Sequence, residues 1–161
     1  MYKDSRRQQM AQAIAGVRAK MDALPNASRM SQQEVESIYG LGYRELEQGH
    51  YPEAFRCFSV LSLLKPTSAR YWRGLALSCR MLAQYGVAAD IYRFVGALEP
   101  DDPQHDLDLA ECLLLQHKVN AARETFERLI ASCTNVKSAE KVSSRARALL
   151  GMIPADDTAS A

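Results

Sequence analysis

Four cysteines and three histidines are the residues of this chain best able to ligate a metal or act as nucleophiles. Their spacing supports neither role. Cys57, Cys79, Cys112 and Cys133 are 22, 33 and 21 residues apart, with no CxxC pair, and His50, His105 and His117 form no HExxH or HxxxH pattern. A structural zinc site draws on close-spaced ligand pairs. No apolar segment of the secretory kind follows the charged start MYKDSRRQQM, so disulfides are not expected either. The thiols are expected as small apolar residues in helix–helix seams. There is no GxSxG elbow, no phosphate-binding P-loop and no dinucleotide-binding glycine motif. No catalytic residue, metal or cofactor is therefore expected, and the side chains that matter are those that bind.

The elements that position them follow from composition and period. With 161 residues the chain is sized for one domain. Lys+Arg is 20 against Asp+Glu 19, a net charge of +1, which is no footprint for a general nucleic-acid binder. Hydrophobic residues at 47% and charged residues at 24% are ordinary for a folded chain. Only 8 Gly and 6 Pro argue against a turn-rich β sandwich and favour helix. No stretch reaches the roughly 18 apolar residues of a membrane span.

A 34-residue period organises the middle of the chain. Shifting Glu36–Pro66 by 34 pairs Ile38 with Trp72, Leu41 with Leu75, Gly42 with Ala76, Gly49 with Ala83, Tyr51 with Tyr85, Ala54 with Ala88, Phe58 with Tyr92 and Pro66 with Pro100. A second shift reaches Leu109, Ala110, Val119, Ala122, Phe126 and Leu129. There the proline becomes Thr134 and the Trp72 position becomes Asp106, a degraded outer copy such as a solenoid end shows. The spacing resembles the tetratricopeptide repeat, two antiparallel helices per unit. Small residues at 42, 76 and 110 and at 54, 88 and 122 let paired helices approach, Phe58, Tyr92 and Phe126 fill the space between them, and Pro66 and Pro100 end the second helix of each pair. The pattern predicts an all-α fold: helices near 33–48, 51–64, 69–82, 85–98, 104–116 and 119–132, three tandem pairs forming a short superhelix. Ser31 and Glu34 fit a capping box for the first.

The expected layout is an N-terminal helix in 1–27, a repeat domain over 31–150 (repeats about 33–66, 67–100 and 101–134, cap 138–150) and a disordered tail at 151–161. The cap carries Val142, Ala146, Leu149 and Leu150 at helical spacing. In the N-terminal segment Met10, Ile14, Val17, Met21 and Leu24 form a narrow apolar stripe. It fits a helix docked on the first repeat, a dimer contact or a mobile arm.

The first helix of each pair lines the concave side of such an array. Helical phase puts Leu41, Gly42 and Tyr51 on the packing face and Tyr39, Tyr43 and Leu46 on the neighbouring inner face. The equivalent stripe of the second repeat is Arg73, Leu77 and Arg80, with Arg70 one turn before and Met81 beside it; that of the third is Leu107, Glu111 and Leu114. The groove so read is aromatic at one end, basic in the middle and aliphatic at the other, a surface for an extended peptide. Each Tyr or Leu here is equally readable as core, and the arginines as a solvated row paired with glutamates.

Three strings narrow the resemblance: LGYRELEQGHYPEAFRCFSVLSLLKP, YWRGLALSCRMLAQYGVAADIY and LAECLLLQ, the last following the turn Asp101-Asp102-Pro103. They are similar to the class II type III secretion chaperones, the SycD/LcrH-like branch of the repeat family, over roughly residues 10 to 150. The resemblance implies a non-enzymatic chaperone of the bacterial cytoplasm. It would hold hydrophobic translocator proteins by an extended segment in the groove, keeping them soluble and secretion-competent. It places Tyr39, Tyr43, Leu46 and Tyr51 at the family's aromatic pocket, with Leu77, Met81 and Leu107 as further contacts. It also implies a homodimer through the N-terminal helix and, in some members, partnership with a transcriptional activator; neither nucleic-acid binding nor membrane insertion is implied. Tyr39 and Tyr43 stand where tetratricopeptide co-chaperones that grip a terminal carboxylate carry Lys and Asn, so that clamp is absent. The chain departs from the family in its balanced charge and in lacking a glycine pair late in the N-terminal helix, where only Gly16 stands nearby. The alternative is a repeat scaffold or regulatory adaptor for a folded partner.

Overall fold

Ser31 sets the first helix boundary. In the computed structural model its Oγ accepts from the Glu34 backbone N–H at 3.2 Å, and its own backbone N–H donates to Glu34 Oε2 at 2.7 Å, completing the capping box. The structure describes residues 30–133 and 139–154, with Gln12 and Gly16 as isolated helical positions. The apolar stripe Met10, Ile14, Val17, Met21 and most of the tail lie outside the described residues.

From Ser31 onward the chain runs through α1 (Gln32–Glu47), α2 (Tyr51–Leu64), α3 (Ala69–Met81), α4 (Tyr85–Leu98), α5 (Gln104–Leu115), α6 (Val119–Ser132) and α7 (Glu140–Gly151). Consecutive helices pack on one another, and α1 also touches α3 while α5 touches α7. The turn inside each pair needs one left-handed residue, and the three lie one period apart: Gly49 at φ 79°, Ala83 at 59° and His117 at 60°. Between pairs the chain stops differently. Pro66 and Pro100 follow the caps Lys65 and Glu99 and cannot continue α2 and α4.

Small residues permit the close packing. Ala54, Ala76, Ala88, Ala110 and Ala122 are fully buried. A Cβ at Gly42 would stand 3.0 Å from Phe58 Cζ, and one at Gly74 would overlap the same ring. Phe58 is thus wedged between α1 and α3 by two glycines, of which only Gly42 showed in the repeat alignment. The core divides into an N-terminal cluster around Phe58, Leu61 and Tyr71 and a C-terminal one around Tyr92, Phe126 and Leu129, with Phe55 and Ile91 touching both. Cys79, Cys112 and Cys133 are buried and Cys57 half-buried, all as free thiols. Burial pushes the Cys112 thiol up to about 11, away from reactivity. On α7, Ala146 is buried and Val142, Leu149 and Leu150 pack on the C-terminal cluster.

Candidate peptide-binding groove

Helices α1, α3, α5 and α7 stand side by side along the inner face, as the polar contacts between them show. Arg70 on α3 forks onto Glu36 of α1, Nη1 to Oε1 at 3.3 Å and Nη2 to Oε2 at 2.9 Å. Arg80 on α3 donates to Glu111 of α5 at 2.6 Å and lies 3.6 Å from Asp108. Arg145 on α7 donates through Nε to the other Glu111 oxygen at 2.8 Å. Each neighbouring pair of inner helices is thus joined by an arginine–carboxylate bridge.

The aromatic end is built on Phe58. Tyr39 and Tyr43 meet edge to face at 4.9 Å between centroids, and both rings meet Phe58 edge-on, at 6.1 and 5.2 Å. Tyr71 lies against Tyr39 at 5.6 Å, and the Arg70 guanidinium caps Tyr39, its Cζ 3.8 Å from the centroid. Tyr39, Tyr43 and Leu46 are half-buried, one side on the core cluster and one side open. Burial, and then the hydrogen bond with Tyr39, push the Tyr43 hydroxyl up to about 12. At neutral pH it remains a neutral hydroxyl on an apolar shelf.

The middle of the groove is basic in its sequence stripe, and in the structure each of its arginines is paired with a carboxylate. Arg73 is bridged to Glu99 and, at 3.1 Å, to Asp102, both from the turn leading into α5. With Arg70 on Glu36 and Arg80 on Glu111, the three arginines form the paired row rather than a line of free donors. Asp108 titrates above the usual carboxylate range because burial outweighs the stabilising Gln104 and Arg80.

Leu77 is half-buried on α3, and Met81, 44% exposed, is open beyond it. Tyr51 begins α2 and is half-buried. The structure corrects the third repeat. Leu107 is 2% exposed and belongs to the C-terminal core, because the chain enters α5 through Pro103 with that side turned inward. Glu111 is 7% exposed, drawn down between two arginines, and Leu114 packs half-buried on the same core. Leu41, assigned to the packing face, is 38% exposed, since α2 and α3 pack on α1 and leave that flank open. The partners Glu36, Glu99, Asp102, Asp108 and Arg145 went unnoticed in the sequence. The period itself carried a signal for two of them: Glu36 is 34 residues before Arg70, and Arg145 is 34 after Glu111.

Among the described residues, no three of His, Cys, Asp and Glu cluster as a metal site, and no helix is long and apolar enough to cross a membrane. No protein-family model matches the chain. It is 26% identical over 129 residues to low calcium response locus protein H of Yersinia pestis, covering 78% of this chain and 75% of that one. Its fold matches PcrH from Pseudomonas aeruginosa at a TM-score of 0.73 and 26% identity, covering 82% of this chain and 100% of PcrH. In sequence and in fold this chain is similar to type III secretion translocator chaperones. The relationship extends to a second PcrH structure, solved in complex with the chaperone binding region of PopD, at a TM-score of 0.71 and 26% identity over 78% of this chain and 94% of that one. The Yersinia enterocolitica translocator chaperone SycD shares the fold, with a TM-score of 0.70 at 23% identity over 78% and 86%. In this chain the inner face is one aromatic shelf followed by three helices cross-linked by ion pairs.

Proposed function

We propose that this chain is a cytoplasmic chaperone of a bacterial type III secretion system that binds hydrophobic translocator proteins through an extended client segment in the concave groove. One observation carries the reading: Tyr39 and Tyr43 form a half-open aromatic shelf on an inner face whose arginines are already paired. That leaves apolar burial as the main attraction the groove offers, which suits a client whose hazard is exposed apolar surface. PcrH, of the same fold, holds the chaperone binding region of a protein named PopD, which supports the same mode here. Covering an anchoring segment masks it from aggregation, and shallow, partly solvated pockets keep the affinity moderate enough for release. Tyr39, Tyr43, Leu46, Leu77 and Met81 are the contacts proposed; no bond is made or broken.

The test is client binding by variants of the shelf. Tyr39→Ala with Tyr43→Ala should weaken binding of a translocator's chaperone binding region about tenfold or more, as loss of central aromatic anchors does. Both rings also touch the core, so Met81→Glu, at an exposed position, serves as the variant that leaves the fold intact. Unchanged affinity and unchanged client solubility on co-expression, in both variants, sinks the proposal.

A further inference from the structure

The helix after the third repeat continues the period. Arg145 lies 34 residues beyond Glu111, which lies 34 beyond Leu77 and 68 beyond Tyr43, and Lys141 stands in the same relation to Leu107. The small buried positions follow suit: Ser143 and Ala146 on α7 take the register of Leu109 and Cys112 on α5, and all four are buried. By position and by contact α7 is a fourth inner helix. The same register on α7 holds two exposed cations where the preceding helices hold Tyr39 and Tyr43, Arg73 and Leu77, and the buried Leu107 and Glu111.

These two cations differ from the arginines of the middle. Arg70 commits both terminal nitrogens to Glu36, and Arg80 sets its own against Glu111 and Asp108. Among the described residues Arg145 uses only Nε, and its side chain remains 62% exposed with both Nη groups uncommitted. Lys141, one turn earlier on the same face, is exposed and makes no ion pair among the described residues. The groove therefore ends in unspent positive charge that faces along the line an extended segment would take from the aromatic shelf.

We propose that α7 forms the terminal subsite of the groove, where Lys141 and Arg145 receive an acidic residue of the client segment. This rests on the reading of the groove as the client site and names a further feature of the client. Inner helices spaced about 10 Å apart put α7 roughly 30 Å from α1. At about 3.3 Å per residue an extended chain covers that span in roughly nine residues. The client segment thus carries apolar anchors at one end and an Asp or Glu about eight to ten residues away. Arg145 is pre-positioned for the role, because the Glu111 carboxylate fixes its guanidinium by one edge and leaves the fork free for a second carboxylate.

Synthetic probes separate this from the groove reading itself. The probes are fluorescent, mostly Ser/Ala peptides of about 25 residues, with two central leucines one residue apart so that both face one way in an extended chain. Asp, Ser or Lys is placed about nine residues before or after the anchor. On one side of the anchor the Asp probe should bind about three-fold tighter than the Ser probe, and the Lys probe more weakly, the size expected of a part-exposed pair. Lys141→Glu, at an exposed side chain, should reverse the order, and Arg145→Gln should flatten it while circular dichroism stays unchanged. Equal affinity for Asp, Ser and Lys on both sides overturns the subsite but leaves the apolar groove standing. So does an Asp preference that survives both substitutions. Failure of any leucine probe to bind overturns groove and subsite together.

Discussion

Tyr43 shows what a single residue of the groove contributes and how it can be observed. Its hydroxyl is pushed from 10.0 to about 12 chiefly by burial. Between those values the unfolded chain gives up that proton while the folded one keeps it. The folded state then binds more protons, so this share of stability is complete below pH 10 and is lost as the pH rises towards 12. Urea unfolding across that interval should show the wild type falling more steeply than Tyr43→Phe, by about 1 kcal/mol once solvent screening is allowed for. Parallel curves would show that the hydroxyl is not held by the shelf. What local spacing carries is partial burial: Tyr39, Tyr43 and Leu46 are half-buried, one side against the N-terminal core cluster. Burial was not legible where partners decide. Nothing in the string around Glu111 says that two arginines from neighbouring helices will bury it, and nothing around Leu107 says that α5 enters with that side down.

At the scale of the element, the helices were readable almost to the residue. Capping at Ser31, proline stops after α2 and α4 and apolar periodicity are local signals that need no tertiary information. The turns were read less fully. Gly49 matched Ala83 in the alignment, yet the common reason, a left-handed backbone at 49, 83 and 117, appears only in the structure. A non-glycine residue there costs about 1 kcal/mol, offset in part by the chain entropy that glycine loses. Ala83→Gly should therefore raise the unfolding free energy by about 0.5 kcal/mol, and Gly49→Ala should lower it by a similar amount, both read from denaturant midpoints at constant m. A loss on Ala83→Gly would mean that the alanine methyl contributes packing that its exposed position does not suggest.

At the scale of the molecule, the array is a row of units that each bury a face against the next, so its end must be covered. Val142, Ala146, Leu149 and Leu150 of α7 cover it, and Arg145 adds a bridge to α5. Removing residues 139–161 uncovers several side chains worth about 1–2 kcal/mol each. The midpoint of thermal unfolding followed by circular dichroism should drop by roughly 10 °C, and an unchanged midpoint would show that α7 is not a structural cap. The same row of inner helices has a kinetic consequence. Because Arg70, Arg73 and Arg80 are each held by carboxylates among Glu36, Glu99, Asp102, Asp108 and Glu111, the middle of the inner face offers no unpaired arginine to solvent. That middle draws no client in from afar, and with the two α7 cations replaced association should proceed near the unsteered rate of about 10⁵–10⁶ M⁻¹s⁻¹. Discrimination between clients then lies in how long each one stays.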